Sequence, residues 1–433
     1  MRRLLGALTV SVALAASAVT VTGSSAQAAS RNDVLVIGMA TSDLISLDPA
    51  KAFEFAGIGV NSQTYDRLLD FAPGKYDVPG PSLATSWSVS ADGKTWTFKL
   101  RTDAKFHSGN PVTAADVVYS LGRVVTLKET PSFILTQFGI TPDSLKAIDT
   151  HTVQITLDKQ YAGGIFLACL ASGVTGIVDS KVVQSHAKKT DKHPKGDMGL
   201  TWLSTNEAGS GSFIMRKWAK NDRVILDAFS GHWGNVPKLK RVVVKEINEA
   251  TSRRLQVEKG DIDIAWELFP DQVKALESSS ELHIDKFPAT TIYYVGMNVT
   301  KGPLKHAKVR QAIRYAVDYD GIINHVMGGA AKAINTFIPE GFAGYNGKIH
   351  FKQDIAKAKA LMAEAGFADG FSTTINTGDQ TPNPELSQVL QASLAKIGIK
   401  LKINKMVSSQ LWPDYRKQNH DIIMARWGPD YND

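Results

Sequence analysis

The sequence predicts an α/β protein with parallel strand pairing. In the last third, strand-like runs such as IKLKI and HDIIMARWG alternate with amphipathic helical segments, and that alternation is the signature of strand–helix–strand units. Glycines stand where the helices must stop, at Gly260 and Gly398, because a left-handed terminator has no Cβ to clash. At 433 residues, 43% hydrophobic and 21% charged, the chain is long enough for two or three apolar cores.

The first segment lies outside that fold. Arg2 and Arg3, the apolar stretch from Leu4 to Val21 and the small-residue site Ala26-Gln27-Ala28 describe a secretory signal, residues 1–28, expected to be cut after Ala28. Thr9, Ser11, Ser17 and Thr20 dilute the stretch below what a membrane anchor needs. No cysteine follows it, which argues against a lipoprotein; Cys169, the single cysteine, lies in the apolar run IFLACLAS and is expected to be a buried thiol. The sequence therefore reads as an exported, freely soluble periplasmic protein.

DVLVIGMA opens the mature chain as a buried strand. WSVSADGKTWTFKL reads as a hairpin about an Ala-Asp-Gly turn, with Trp96, Phe98 and Leu100 on one face. Thr113 with Asp116 three residues on is a capping-box variant, which predicts a helix from Ala114 to about Val125. KRVVVKEINEATSRRLQVEKGDIDIAW follows as strand, helix and strand. VRQAIRYAVD places Val309, Ala312, Ile313, Ala316 and Val317 on one helical face, and LSQVLQASLAKIG does the same for Leu386, Val389, Leu390, Leu394 and Ile397. In an open parallel sheet ligands bind beyond the carboxyl ends of strands. That rule points to the loop after IIMA, and so to Asp430 near Trp427. Gly-Pro-Asp is also ordinary turn chemistry, and the residues alone leave both readings open.

The motifs of catalysis fail their context. Gly93-Lys94-Thr95 has Ser88 where a phosphate loop needs its first glycine, and it leads into a strand. GIGVNS has Ser62 in place of the third glycine of a dinucleotide fingerprint, and AGSGS has Ala208 in place of the first glycine of a nucleophile elbow. The ten histidines include no i, i+4 pair, and His186 and His193, seven apart, make a poor metal pair. The net charge of +7 is dispersed, and HAKKTDKHPK at 186–195 lacks the interleaved aromatics of a nucleic-acid site. A binding protein without cofactor, metal or nucleic-acid partner is expected, a monomer, with a secreted peptide hydrolase or a periplasmic chaperone as rivals.

Three long stretches together carry a resemblance: FKLRTDAKFHSGNPVTAADVVYS, then GSGSFIMRKWAKNDRVILDAFSGHWGNVPKLKRVVVKEINEATSRRLQVEKGDIDIA, then YYVGMNVTKGPLKHAKVRQAIRYAVDYDGIINHVMGGAA. The chain resembles the extracytoplasmic solute-binding proteins of ABC importers, family 5, the dipeptide, oligopeptide and nickel-binding type. The resemblance implies a two-lobed periplasmic-binding-protein fold, type II, with an inserted domain. Its lobe I takes in 29–65 and 206–288, the insert 66–205, and lobe II 289–433, C-terminally incomplete. It also implies that Asp430 receives a ligand's ammonium group and that Trp427 lines the pocket; Arg426 and Tyr431, their neighbours in the sequence, are counted with them as ligand-binding residues. A small peptide or similar amine-bearing solute and the membrane permease subunits of an importer are the implied partners, with a nickel chelate, opine or oligosaccharide as alternative ligands. Two departures stand out. Gly209-Ser210-Gly211-Ser212 replaces the family's Gly-Thr-Gly-Pro turn, which is expected to loosen that corner. Arg426 replaces a frequent glycine, and the sequence leaves open both a bidentate contact with a ligand carboxylate and a place at the surface.

Overall fold

The computed structural model describes residues 31–431 except 76, 77, 195, 288, 335, 341, 343, 344, 349 and 350. The expected signal segment lies outside the described residues.

The chain begins with β1 (Val34–Met39), and α1 (Phe55–Thr64) follows a loop. The predicted hairpin is β2 (Ala84–Val89) and β3 (Thr95–Leu100). Trp96, Phe98 and Leu100 are all buried. Helix α2 (Ala114–Leu127) runs two residues beyond its predicted end. The Asp116 carboxylate accepts the Thr113 N–H at 2.9 Å and the Thr113 hydroxyl at 2.6 Å, which satisfies donors that the first turn leaves open. With β4 (Leu145–Asp149) and β5 (Thr152–Thr156), the hairpin forms a four-stranded sheet in the order β2-β3-β5-β4. Every pairing in it is antiparallel, so the expected parallel pattern does not extend to the insert. Val117, Leu121 and Val124 of α2 pack on this sheet beside Cys169.

The chain then returns to β1. Strands β6 (Phe213–Ala219), β7 (Arg223–Ala228), β8 (Arg241–Glu246) and, after α3 (Ala250–Glu258), β9 (Ile264–Ala265) build a five-stranded sheet in the order β9-β1-β8-β7-β6. β1 is parallel to β8 and β9. This sheet is the centre of the first lobe.

The second lobe is built from β10 (Ile292–Met297), α4 (Ala307–Ala316), β11 (Phe371–Gly378), α5 (Asn383–Ala395), β12 (Ile399–Met406), α6 (Ser408–Arg416) and β13 (Ile422–Trp427). Its sheet has the order β10-β13-β11-β12. β13 lies parallel to β11 and antiparallel to β10. Its Ile422 and Met424 join the core under α4 and α5, while Ile423 and Ala425 pack against Leu411 of α6. Burial on both faces explains the unbroken apolar run IIMA. The predicted apolar face of α4 is buried throughout, but on α5 Ser387 takes a buried place while Val389 is only partly buried.

Two devices fasten the insert to the first lobe. Arg123 of α2 grips Asp48 bidentately, Nη1 to Oδ1 at 2.9 Å and Nη2 to Oδ2 at 2.7 Å, with 1% and 0% of the two side chains exposed. Burial opposes the guanidinium's charge, but Asp48 outweighs it and holds the pKa above its ordinary value. The second device is Asp66, the insert's first residue, held by the Gly-Ser-Gly-Ser corner, which itself joins the two segments of the first lobe and is not loose. A Cβ on Gly209 would lie 1.9 Å from the Thr64 carbonyl oxygen and one on Gly211 2.5 Å from that of Gln63, so the chains touch backbone to backbone. The Ser210 hydroxyl donates to Asp66 at 2.8 Å, and Trp233 Nε1 donates to the same oxygen at 2.9 Å. Close approach and a buried acceptor replace the rigidity that a proline would give.

Asp48→Ala leaves a buried guanidinium without its counter-ion, so the folded state should lose about 3–5 kcal/mol. Urea unfolding of this variant against the parent measures the loss, and an unchanged midpoint would contradict the role given to the pair.

Candidate functional site

The carboxyl ends of four parallel-paired strands meet where the two lobes face each other. From the first lobe come Ser42 and Asp43 after β1 and Glu267 after β9; from the second come Gln380 after β11 and Gly428 to Tyr431 after β13. The rule that nominates the loop after IIMA thus selects all four loops.

Arg426, at the end of β13, is paired by strand register with Tyr293 of β10. Its Nη1 donates to Glu267 Oε1 across the cleft at 2.6 Å, and its Cζ lies 4.3 Å from the centre of the Phe55 ring. Burial disfavours its charge, yet Glu267 and Tyr293 together keep the pKa raised. Glu267 itself sits in the left-handed region with φ 55°, where a non-glycine residue is strained. The Arg253 guanidinium donates to its carbonyl at 2.9 Å and helps hold it there. A second ion pair spans the lobes where Arg416 Nη2 meets Glu54 Oε1 at 2.6 Å. Gln380 Nε2 also donates to Ser42 Oγ at 2.8 Å.

Trp427 pairs with Ile292 and is half-buried. A Cβ on Gly428, the next residue, would come within 3.2 Å of the Phe55 ring. Asp430 is half-buried, and among the described residues no cation pairs with it. Burial pushes its carboxyl up to about 6, against a hydrogen bond from Trp427 that pulls it down. The Tyr431 hydroxyl reaches the insert, donating to Gln137 Oε1 at 3.3 Å, and its ring packs on the insert's core. The four predicted residues are therefore close along one strand end but serve different neighbours: Arg426 faces lobe I, Tyr431 faces the insert, and Asp430 beside Trp427 has an uncompensated charge.

Asp43 was not legible as a site residue. It is 6% exposed, and its carboxyl is pushed up to about 6 by burial; Ala56 N–H and Arg426 lower it, Glu54 raises it. It lines a cavity of about 30 Å³ between the lobes, together with Phe55, Gln380, Asn383, Trp412 and Arg426. A larger depression of about 760 Å³ lies at the amino ends of β11 and β12, around Thr374, Lys400 and Asp421, the opposite end of the sheet from the cleft.

Other candidates resolve into structure. His107 has both ring nitrogens against acceptors, Glu207 and the Gly211 carbonyl, at 2.9 Å. His186 stacks on Trp202 with ring centres 4.3 Å apart. Among the described residues no three His, Cys, Asp or Glu side chains gather around a metal position.

Residues 78–433 match the family described as bacterial extracellular solute-binding proteins, family 5. The chain belongs to that family. It is 36% identical over 416 residues to the probable D,D-dipeptide-binding periplasmic protein of Escherichia coli K12, covering 94% of this chain and 77% of that one. It is also 30% identical to the dipeptide-binding protein of the same organism, covering 85% and 71%. Among solved structures, the ABC transporter-associated periplasmic binding protein of Helicobacter pylori, in complex with peptide STSA, superimposes with a TM-score of 0.79 at 29% identity, over 92% of this chain and 79% of that chain. A binding protein from A. tumefacien R10 in complex with mannopinic acid gives 0.82 at 25%, over 92% and 79%. These relatives confirm the two-lobed α/β fold and its role as a solute-binding receptor.

A carboxyl whose folded pKa is raised contributes stability below its unfolded value of 3.8 and loses that contribution as pH rises through about 6. Asp430→Asn should therefore raise the ligand-free protein's stability at pH 7.5 by about 1 kcal/mol, after allowance for exposure. The gain should vanish at pH 3.5, where both forms are neutral. Thermal melts at the two pH values test this, and a gain of equal size at both would refute it.

Proposed function

We propose that this protein is the periplasmic receptor of an ABC importer, capturing a small peptide between its lobes and handing it to the membrane permease subunits. Residues 1–28 are its export signal. In this reading lobe I comprises 29–65 and 206–288, the insert 66–205, and lobe II begins at 289. The single observation that carries the ligand class is Asp430, half-buried at the cleft without a cation, its carboxyl raised to about 6. Such a group has lost water without gaining a partner, so a ligand ammonium removes the imbalance. The names of the relatives, dipeptide-binding and peptide-bound, support a peptide as the source of that ammonium.

The magnitudes place a limit on one ion pair. At about 4 Å with an effective dielectric near 20 the attraction is on the order of 4 kcal/mol before desolvation. Micromolar binding needs about 8 kcal/mol. Backbone pairing along an extended ligand supplies much of the remainder and is indifferent to side chains. Trp427 supplies apolar contact beside the ammonium, and Tyr431 ties the site's loop to the insert. Arg426 gives one nitrogen to Glu267 and has further N–H donors that a ligand carboxylate could share, with Glu267 weakening that attraction. A second reading, a non-peptide solute at the same cleft, draws on the likeness to the protein bound to mannopinic acid.

Asp430→Asn should weaken free-amine dipeptides at least about tenfold, and their N-acetylated forms far less. Titration calorimetry with both series decides the point. Equal losses would take Asp430 out of the amine-binding role, and no heat with any peptide would favour the non-peptide solute.

A further inference from the structure

The charges at the lobe interface do not balance. Arg416 is matched by Glu54 and Arg426 by Glu267. Three raised carboxyls then remain, Asp430, Asp43 and Asp379, of which Asp379 has Lys405 close by. A single ligand ammonium at Asp430 leaves Asp43 with only the partial compensation that Arg426 gives it.

Asp43 differs from an ordinary buried acid in one respect. Its Oδ2 has a long contact with the Ala56 N–H at 3.3 Å, and its Oδ1 has no hydrogen-bond partner. Asn383 lines the same cavity from the other lobe, and its Oδ1 also has no partner. Two buried acceptors from opposite lobes therefore border a space of about 30 Å³. That is room for a water-sized group, and an ammonium head is of similar size. Arg426 lines the cavity too and draws the Asp43 carboxyl down, but it is shared with Glu267. The remaining wall is mixed: Phe55, Leu411, Trp412 and Met424 give it apolar surface, and Gln380 and Ser408 add polar groups. Apolar side chains beside unpartnered acceptors match an alkylammonium chain, whose methylenes lie along apolar surface while the charged head finds oxygen.

We propose that the cavity at Asp43 and Asn383 is a second ammonium subsite, so that the preferred solutes carry two primary ammonium groups. The inference rests on the reading of Asp430 as the first amine site. Because the two acceptors belong to different lobes, the second ammonium bridges them and favours the closed arrangement. A ligand with one amine leaves Asp43 buried and unpaired on closing, which costs affinity. The site thus sets specificity as well as strength.

The test compares Ala-Lys with Ala-norleucine, which keeps lysine's aliphatic stem without the ammonium, by titration calorimetry on the full chain. Ala-Lys should bind at least about tenfold tighter, and Asp43→Asn should bring the ratio close to one. Asn383→Ala should shrink the ratio from the opposite wall and serves if Asp43→Asn does not fold. Equal affinities in the parent, or a lysine preference that survives both substitutions, would mean that the cavity holds only water and would overturn the subsite. If neither dipeptide binds, the peptide reading fails by itself, and 1,5-diaminopentane decides the subsite: saturable heat lost in Asp43→Asn upholds it, and no heat overturns it.

Discussion

The structure turns on charges that are withdrawn from water where the two lobes meet. An ion pair in such a place is held by geometry, since each member left alone would carry a desolvation cost of several kcal/mol. Glu54 meets that condition most fully and the half-exposed Glu267 least, and the two pairs, Arg426 with Glu267 and Arg416 with Glu54, join one lobe to the other. Closure of the lobes is therefore inseparable from the neutralisation of these side chains. Opening them returns four charged groups to solvent.

The same constraint gives the cleft its selectivity. Among the described residues Asp430 has lost water without acquiring a cation and Asp43 has only the partial offset of Arg426, so burial lifts both carboxyls to about 6. A site prepared in this way favours positive guests over neutral ones. Trp427, which donates to Asp430, moderates the effect without cancelling it. The insert contributes from outside the cleft: Gln137 takes the Tyr431 hydroxyl, which links the loop after β13 to a domain that Arg123 and the Gly-Ser-Gly-Ser corner hold against the first lobe. The position of the loop is thus set from three directions.

Much of the fold was legible in the residues because local rules and tertiary demands agree there. The Thr113–Asp116 box, the apolar face of α4 and the buried run of β13 each follow from a backbone that must satisfy its own donors or hide one side. Asp430 was reachable by the same route, since a strand end at a parallel sheet's edge is a known place for ligands. Applied to β1, β9 and β11 as well, that rule would have reached Asp43, Glu267 and Gln380. Nothing in TSDLISLDPA itself marks Asp43, because a loop acid looks the same whether it meets solvent or another lobe.

The sequence by itself determined the order of strands and helices, the membership in a solute-binding family and the presence of an acid beside a tryptophan after the last apolar strand. These depend on periodicity, turn chemistry and short spacings, which a linear chain displays. Only the tertiary structure decided which charges are spent within the protein and which are left for a guest. Glu267 lies 159 residues from Arg426 and Glu54 lies 362 from Arg416, so their pairing is a product of how the lobes pack. Burial raises the carboxyls of Asp43 and Asp430, and burial belongs to the assembled surfaces, not to any stretch of the chain.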